Sequence, residues 1–219
     1  MTSAVLDRTG VTAAGELFAA ALLGEPCELV GLGGAPLPLP MQVWLGAASD
    51  TDRAVLAHCR GATLDVGCGP GRMSAHLAAS GLQVAGVDVL PEAVAEARRR
   101  GVPAWCADVF GPLPAEGRWD TILLADGNIG IGGSPDLLLR RLARLLAPHG
   151  RVVADLAPYG AGLRRRTLQL RTRTHTSEPF AWALVGADVI GAVADRAGLV
   201  VVERHEYAGR WCAVLEAGA

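Results

Sequence analysis

Three glycines at alternate positions, Gly67, Gly69 and Gly71, stand inside the segment TLDVGCGPGR (63–72). Glycine lacks a Cβ, so the backbone there is open to a ligand and to left-handed φ angles. A short apolar run, ATLDV (62–66), comes before them and a helical run follows. The turn therefore joins a first strand to a first helix, and in an open parallel sheet such turns lie at the carboxyl edge, where ligands bind. A purely structural turn would use the same glycines, so the neighbouring residues have to separate the two readings. A dinucleotide pyrophosphate asks for a third glycine where Arg72 stands, and Asp65 would repel its charge. A cationic amino-acid group would welcome that carboxylate. Asp88 ends the second strand about twenty residues further on, the placement of an acid that grips a ribose diol; it also stands where it would cap the helix that starts at Pro91. Asp108 follows the third strand, placed either to accept from an adenine amino group or to close a turn before Phe110-Gly111.

The elements that must hold these residues alternate in period. Strands are expected at LQVAGVDV (82–89), VPAWCA (102–107), WDTILLA (119–125) and RVVADLA (151–157). Helices are expected at 50–59, with Ser49 or Asp50 as N-cap, at 70–79, at PEAVAEARRR (91–100) with proline in its first turn and arginines in its last, and at 134–148, stopped by Pro148-His149-Gly150. Five β/α alternations predict a parallel sheet. After them come two extended segments (163–175 and 179–185), a helix (186–198) ended by Gly198, and a hairpin (199–216) turning at Ala208-Gly209. Upstream, 11–23 has helical apolar spacing and reads as a lid, while GLGGAPLPLP (31–40) reads as loop.

The whole-chain properties narrow the classes. With 219 residues, 51% of them hydrophobic, the chain has room for one α/β domain with a sizeable core and a small cap. We expect a single domain over 1–219, with a lid over 1–59, a core over 60–219 and an insertion at about 158–185. A net charge of -2 gives no general reason to expect a nucleic acid or an anionic membrane as partner. The twenty basic side chains are all arginine. Five scattered cysteines without a CxxC pair read as reduced thiols of a cytoplasmic protein. No signal peptide is read in the first ten residues, and no apolar run is long enough to span a membrane.

LDVGCGPGR, GVDV, ADVF, WDTILLADGNIG and LARLLAPHGRVVADL, in that order, resemble the motif series of class I S-adenosylmethionine-dependent methyltransferases, and in particular those of actinobacteria that act on small molecules, including natural-product precursors. The resemblance runs closely over about 60–157, and the closing hairpin agrees with it. It implies a Rossmann-like, doubly wound sheet of seven strands in the order 3-2-1-4-5-7-6, the seventh antiparallel. It also implies S-adenosylmethionine as cofactor, S-adenosylhomocysteine as product and a small-molecule acceptor, methylated on O or N. Carried over by position, Asp65, Gly67 and Gly69 line the methionine end, Asp88 holds the ribose hydroxyls, and Asp108 with Val109 frames the adenine; Cys68, Gly71 and Val89 are also expected at the cofactor. Asp126, Gly127 and Asn128 stand beside the methyl. Methylases of adenine N6 or glutamine amides carry an Asn/Asp-Pro-Pro-aromatic element after the fourth strand, and DGNIG here disfavours those acceptors.

Methyl transfer needs orientation, desolvation and, for a hydroxyl acceptor, a base. His175, in the insertion after the fifth strand, and Asp126 are the candidates; an exposed loop histidine is the alternative for the first. Trp44, Tyr159 and Trp182 are candidate acceptor walls, with core packing as the ordinary use of tryptophan. Arg164, Arg166, Arg171 and Arg173 read as charges on an edge strand, and Arg72 as a local ion-pair partner. The histidines show no ligand spacing along the chain, so no metal is expected. The assembly is expected to be a monomer or homodimer. The rival readings are a cofactor-binding regulatory protein of the same fold and a nicotinamide-dependent oxidoreductase.

Overall fold

Residues 11–218 are described in the computed structural model; the first ten, on which the signal-peptide reading and the start of the lid fall, lie outside the described residues. The chain enters through β1 (Val11–Thr12) and α1 (Ala14–Leu22), then β2 (Glu28–Val30), β3 (Leu37–Pro38), α2 (Met41–Leu45) and α3 (Asp50–Leu56). Ser49 caps α3 in a reciprocal box, its hydroxyl accepting from the Asp52 amide while Asp52 accepts from the Ser49 amide.

The alternating part follows as β4 (Thr63–Val66), α4 (Arg72–Ala79), β5 (Val84–Asp88), α5 (Pro91–Arg99), β6 (Ala104–Cys106), β7 (Trp119–Leu124), a 3₁₀ segment (Asn128–Gly133), α6 (Pro135–Leu145) and β8 (Leu146–Leu156). Every residue of β4 is buried. A parallel strand covered on both faces has no solvent side, which is why its sequence does not alternate. Leu138, Leu142 and Leu145 put the apolar stripe of α6 on the sheet.

Next come β9 (Leu163–Arg171), β10 (Thr176–Ser177), β11 (Phe180–Val185), α7 (Ile190–Asp195), β12 (Leu199–Tyr207) and β13 (Arg210–Ala217). Ala208 and Gly209, both at positive φ, make the tight turn between the last two strands.

The main sheet runs β12-β13-β8-β7-β4-β5-β6. Pairing is parallel from β6 to β8, and β13 is antiparallel to both its neighbours. This is the expected 3-2-1-4-5-7-6 order read from the other edge. Ile122, Leu124, Val152 and Ala154 face α6 and α7, while Leu123, Val153 and Val214 face α3 and α4. The period-two alternation of strand side chains feeds both layers.

A second, smaller sheet was not expected. Its order is β1-β10-β9-β2-β3, with β11 also paired to β9. Part of the loop 31–40 is therefore the short edge strand β3, where Pro38 is tolerated because an edge needs fewer donors. β9 is paired on both sides at Arg171, so the edge reading fails there, and Arg171 pairs with Glu28 at 2.8 Å; Arg164 and Arg166 stand on the stretch of β9 that pairs with β11. The helix expected over 134–148 ends at Leu145, because β8 already begins at Leu146 and takes up Pro148-His149-Gly150 as an irregularity, His149 standing at φ 65. The helix expected over 186–198 covers only Ile190–Asp195.

Candidate functional site

The carboxyl ends of β4, β5, β6 and β7 open into one cavity of about 760 Å³. Asp65, Gly67, Cys68, Gly69, Asp88, Val89, Asp108, Val109, Asp126, Gly127 and Asn128 all line it. The second sheet, α1 and α2 roof its far end with Phe18, Leu29, Leu39, Trp44, Leu168, Leu170, Phe180, Trp182 and Leu184. The cavity is thus two-sided, with glycines and carboxylates at the sheet edge and an apolar, aromatic wall opposite.

The glycines divide their labour. Gly69 sits at φ 52 with open space where a Cβ would stand, so the bare backbone faces the cavity. Gly67, at φ 70, admits the Asn128 amide, which a Cβ would approach to 2.7 Å. Asn128 uses that proximity to donate to the Val66 and Gly67 carbonyls, each at 2.9 Å, tying the β7 turn to the β4 turn. Gly71 is the correction. It does not line the cavity, and its Cβ would meet Ala97 of α5 at 2.9 Å. Its job is close helix packing.

Four carboxylates sit around this edge in different states. Asp65 is fully buried; burial pushes its carboxyl up to about 7, with Asp126 and Asp88 adding to the push, against the pull of the Ser74 hydroxyl, which donates at 2.5 Å. Asp88 accepts from the amides of Gly69 and Leu90, both at 2.9 Å. Burial raises its pKa while these bonds pull it down. The capping role considered from sequence is not seen, since α5 has Leu90 as N-cap with no side-chain cap bond; Asp88 instead braces the turn before it and faces the cavity. Asp108 accepts from the Phe110 amide at 3.0 Å and is exposed.

Asp126, at φ 51, is held by Arg72 (2.6 Å) and Arg210 (3.3 Å), and its amide donates to Asp155 at 2.7 Å. Its lone pairs are committed to two guanidiniums, which disfavours it as a catalytic base.

Sequence reasoning missed the network behind this loop. Arg72 and Arg210 both pair with buried Asp52, and Arg210 also pairs with Asp155. Burial alone would raise the Asp52 carboxyl, but bonds from Arg72 and Ser49 hold it at about 2. The buried Nε of Arg72 has no hydrogen-bond partner among the described residues. Asp155 at the end of a strand was the available signal; Asp52 and Arg210 carried none.

On the acceptor side, Trp44 and Trp182 both line the cavity. Trp44 stacks on Phe18 at 5.8 Å between centroids, and Trp182 meets Phe180 edge-on at 6.4 Å. Gly130 makes room for the Trp182 indole, which a Cβ there would meet at 2.5 Å. Two expected residues are elsewhere. Tyr159 is 65% exposed and leans on Trp211 outside the cavity. His175 is exposed on the turn between β9 and β10, its ring bonded to Thr174 at 2.8 Å. The insertion reaches the cavity through Leu168 and Leu170 of β9 and Phe180, Trp182 and Leu184 of β11 instead. Phe18, Leu29, Leu39, Leu168 and Phe180 were missed, since apolar residues in a wall and in a core read alike.

Residues 63–150 match the model of a methyltransferase domain family. Over 140 residues the chain is 31% identical to the ubiquinone biosynthesis O-methyltransferase of Xanthomonas oryzae pv. oryzae, covering 61% of this chain and 52% of that protein. The chain thus spans about half the length of that curated relative. An uncharacterized methyltransferase of Synechocystis sp. is 30% identical over 163 residues, covering 71% of this chain and 74% of its own. Among solved structures, a SAM-dependent methyltransferase from Bacteroides fragilis in complex with S-adenosyl-L-homocysteine superposes with a TM-score of 0.80 over 98% of both chains, at 21% identity.

Proposed function

This chain belongs to the class I S-adenosylmethionine-dependent methyltransferases, and from that premise we propose that it methylates a small, largely apolar acceptor on a neutral nitrogen. The observation that carries the reading is the two-sided cavity, polar at the sheet edge and aromatic opposite. S-adenosylmethionine supplies an activated methyl group on a sulfonium, so the protein's work is to bind, orient and exclude water.

The residues present fit that cofactor. Gly69 leaves a cradle that any side chain would fill. The amino-acid end of the cofactor carries an ammonium, and the cavity offers Asp65 for it. Asp88 presents a carboxylate edge for ribose hydroxyls, and Asp108 with Val109 frames a flat base. Arg141 donates to the carbonyls of Val109 (2.9 Å) and Gly111 (2.6 Å), which fixes that loop before any ligand arrives.

The lining of the acceptor end favours N over O. No histidine, tyrosine, serine or threonine is among the described residues lining the cavity, and Asp126 is already paired. A hydroxyl acceptor would lack a base there, whereas a neutral amine or ring nitrogen needs none. Phe18, Trp44, Phe180 and Trp182 supply flat apolar surface for an aromatic or alicyclic body and keep water off the reacting end. The five thiols are unpaired, which suits work in the cytoplasm. Among the described residues no helix is long and apolar enough to cross a membrane.

Calorimetry with S-adenosylhomocysteine and with NAD tests the cofactor; heat with NAD alone overturns the reading. Transfer of labelled methyl from S-adenosylmethionine to matched aromatic amines and phenols tests the acceptor. Turnover of the phenols at equal or higher rates would refute the nitrogen assignment and leave the cofactor reading intact.

A further inference from the structure

Outside the cavity, His58, Glu203 and His205 bring three ligand atoms within 4.8 Å of one another. Glu203 and His205 are two apart on the edge strand β12, so they share one face. His58 arrives from the turn that ends α3. The Glu203 Oε2 lies 3.2 Å from His58 Nδ1 and 2.9 Å from His205 Nε2. The other nitrogen of His58 is bonded to the Tyr207 hydroxyl at 2.8 Å, and the two imidazoles stack with centroids 4.3 Å apart.

We propose that this trio is a binding site for a divalent transition ion of the zinc class, with His58 Nδ1, His205 Nε2 and Glu203 Oε2 as ligands and a fourth position open to water. Two imidazoles and one carboxylate are the borderline donors that zinc-class ions take, whereas magnesium and calcium ask for oxygen alone. The 3.2 Å and 2.9 Å from the Glu203 oxygen to the two ring nitrogens suit a tetrahedral ion with bonds of ~2 Å. Tyr207 supplies the outer bond that fixes ring orientation at metal-ligating histidines.

Arg151, the cation whose field reaches His58, is engaged with Glu216 at 2.7 Å and so opposes a metal less. The expectation of no metal rested on spacing along the chain, and the fold assembles these ligands from two distant segments. None of the three lines the cavity. The site would pin α3 to the β12–β13 hairpin, the same two elements that carry Asp52 and Arg210.

The test is equilibrium dialysis of metal-stripped protein against zinc chloride, with magnesium chloride as control. The wild type should take up one zinc per chain and no magnesium, and its thermal midpoint should rise with zinc. Glu203→Gln and His205→Ala should each weaken zinc binding at least a hundredfold, and Tyr207→Phe by about tenfold. S-adenosylhomocysteine binding by the variants reports whether they fold. Zinc uptake that persists in folded His205→Ala and Glu203→Gln, or no uptake by the wild type, overturns the site.

Discussion

Asp65→Asn gives the sharpest reading of the buried carboxylate at the glycine turn. In the folded protein without ligand burial pushes the Asp65 carboxyl up to about 7, against 3.8 for the unfolded chain, and no cation among the described residues is bonded to it. Below pH 3.8 both states hold the proton and nothing is lost. Between 3.8 and about 7 the unfolded chain ionises while the folded one does not, so stability falls as pH rises. Three units at about 1.4 kcal/mol each give a loss of about 4 kcal/mol, complete above pH 7. Urea unfolding of wild type and Asp65→Asn from pH 4 to pH 8 measures it. The amide keeps the Ser74 partner without the charge, so the variant should gain on the wild type by about that amount across the window. A cofactor ammonium beside Asp65 reverses the balance, and S-adenosylhomocysteine should therefore bind wild type more tightly at pH 8 than at pH 5. A wild-type-minus-variant difference that stays flat, or slopes the other way, would show that the carboxylate is not desolvated as the structure has it.

The ion network makes Arg72→Met costly, about 3 kcal/mol in urea unfolding, since Asp52 and Asp126 lose a buried partner; an unchanged midpoint would mean that Arg210 alone satisfies both. Asp52 itself, held at about 2 against 3.8, contributes about 2 kcal/mol at neutral pH, lost as pH falls from 3.8 toward 2, and Asp52→Asn should remove that acid limb. Asp88→Asn should weaken S-adenosylhomocysteine by about 2 kcal/mol in calorimetry, the scale of charge-assisted hydrogen bonds; wild-type affinity would leave Asp88 only its bonds to Gly69 and Leu90. His175→Ala should leave turnover unchanged, while Trp182→Ala should raise the acceptor KM more than tenfold; the opposite pattern in initial rates would put the acceptor at the β9–β10 turn.

How much of this was legible follows from the range of the forces involved. The strand order came only with the family resemblance, whereas the glycine turn, Asp88 and Asp108 are local matters, because a strand-turn-helix with a parallel neighbour has one way to place its loop. Those residues could be named from the chain alone, and they line the cavity. Gly71 shows the limit within the same motif: its neighbour is Ala97, far along the chain, so spacing could not separate packing from binding. Long-range assembly decided the rest. The second sheet depends on β9 finding β2 and β11, and only that pairing turns Leu168, Phe180 and Trp182 into a wall while leaving His175 in water. The Arg72–Asp52–Arg210–Asp155 network and the His58–Glu203–His205 cluster join segments with no pattern in common. Period and turn chemistry act over a few residues, whereas burial and ion pairing act through space, so only the tertiary structure could bring these groups together.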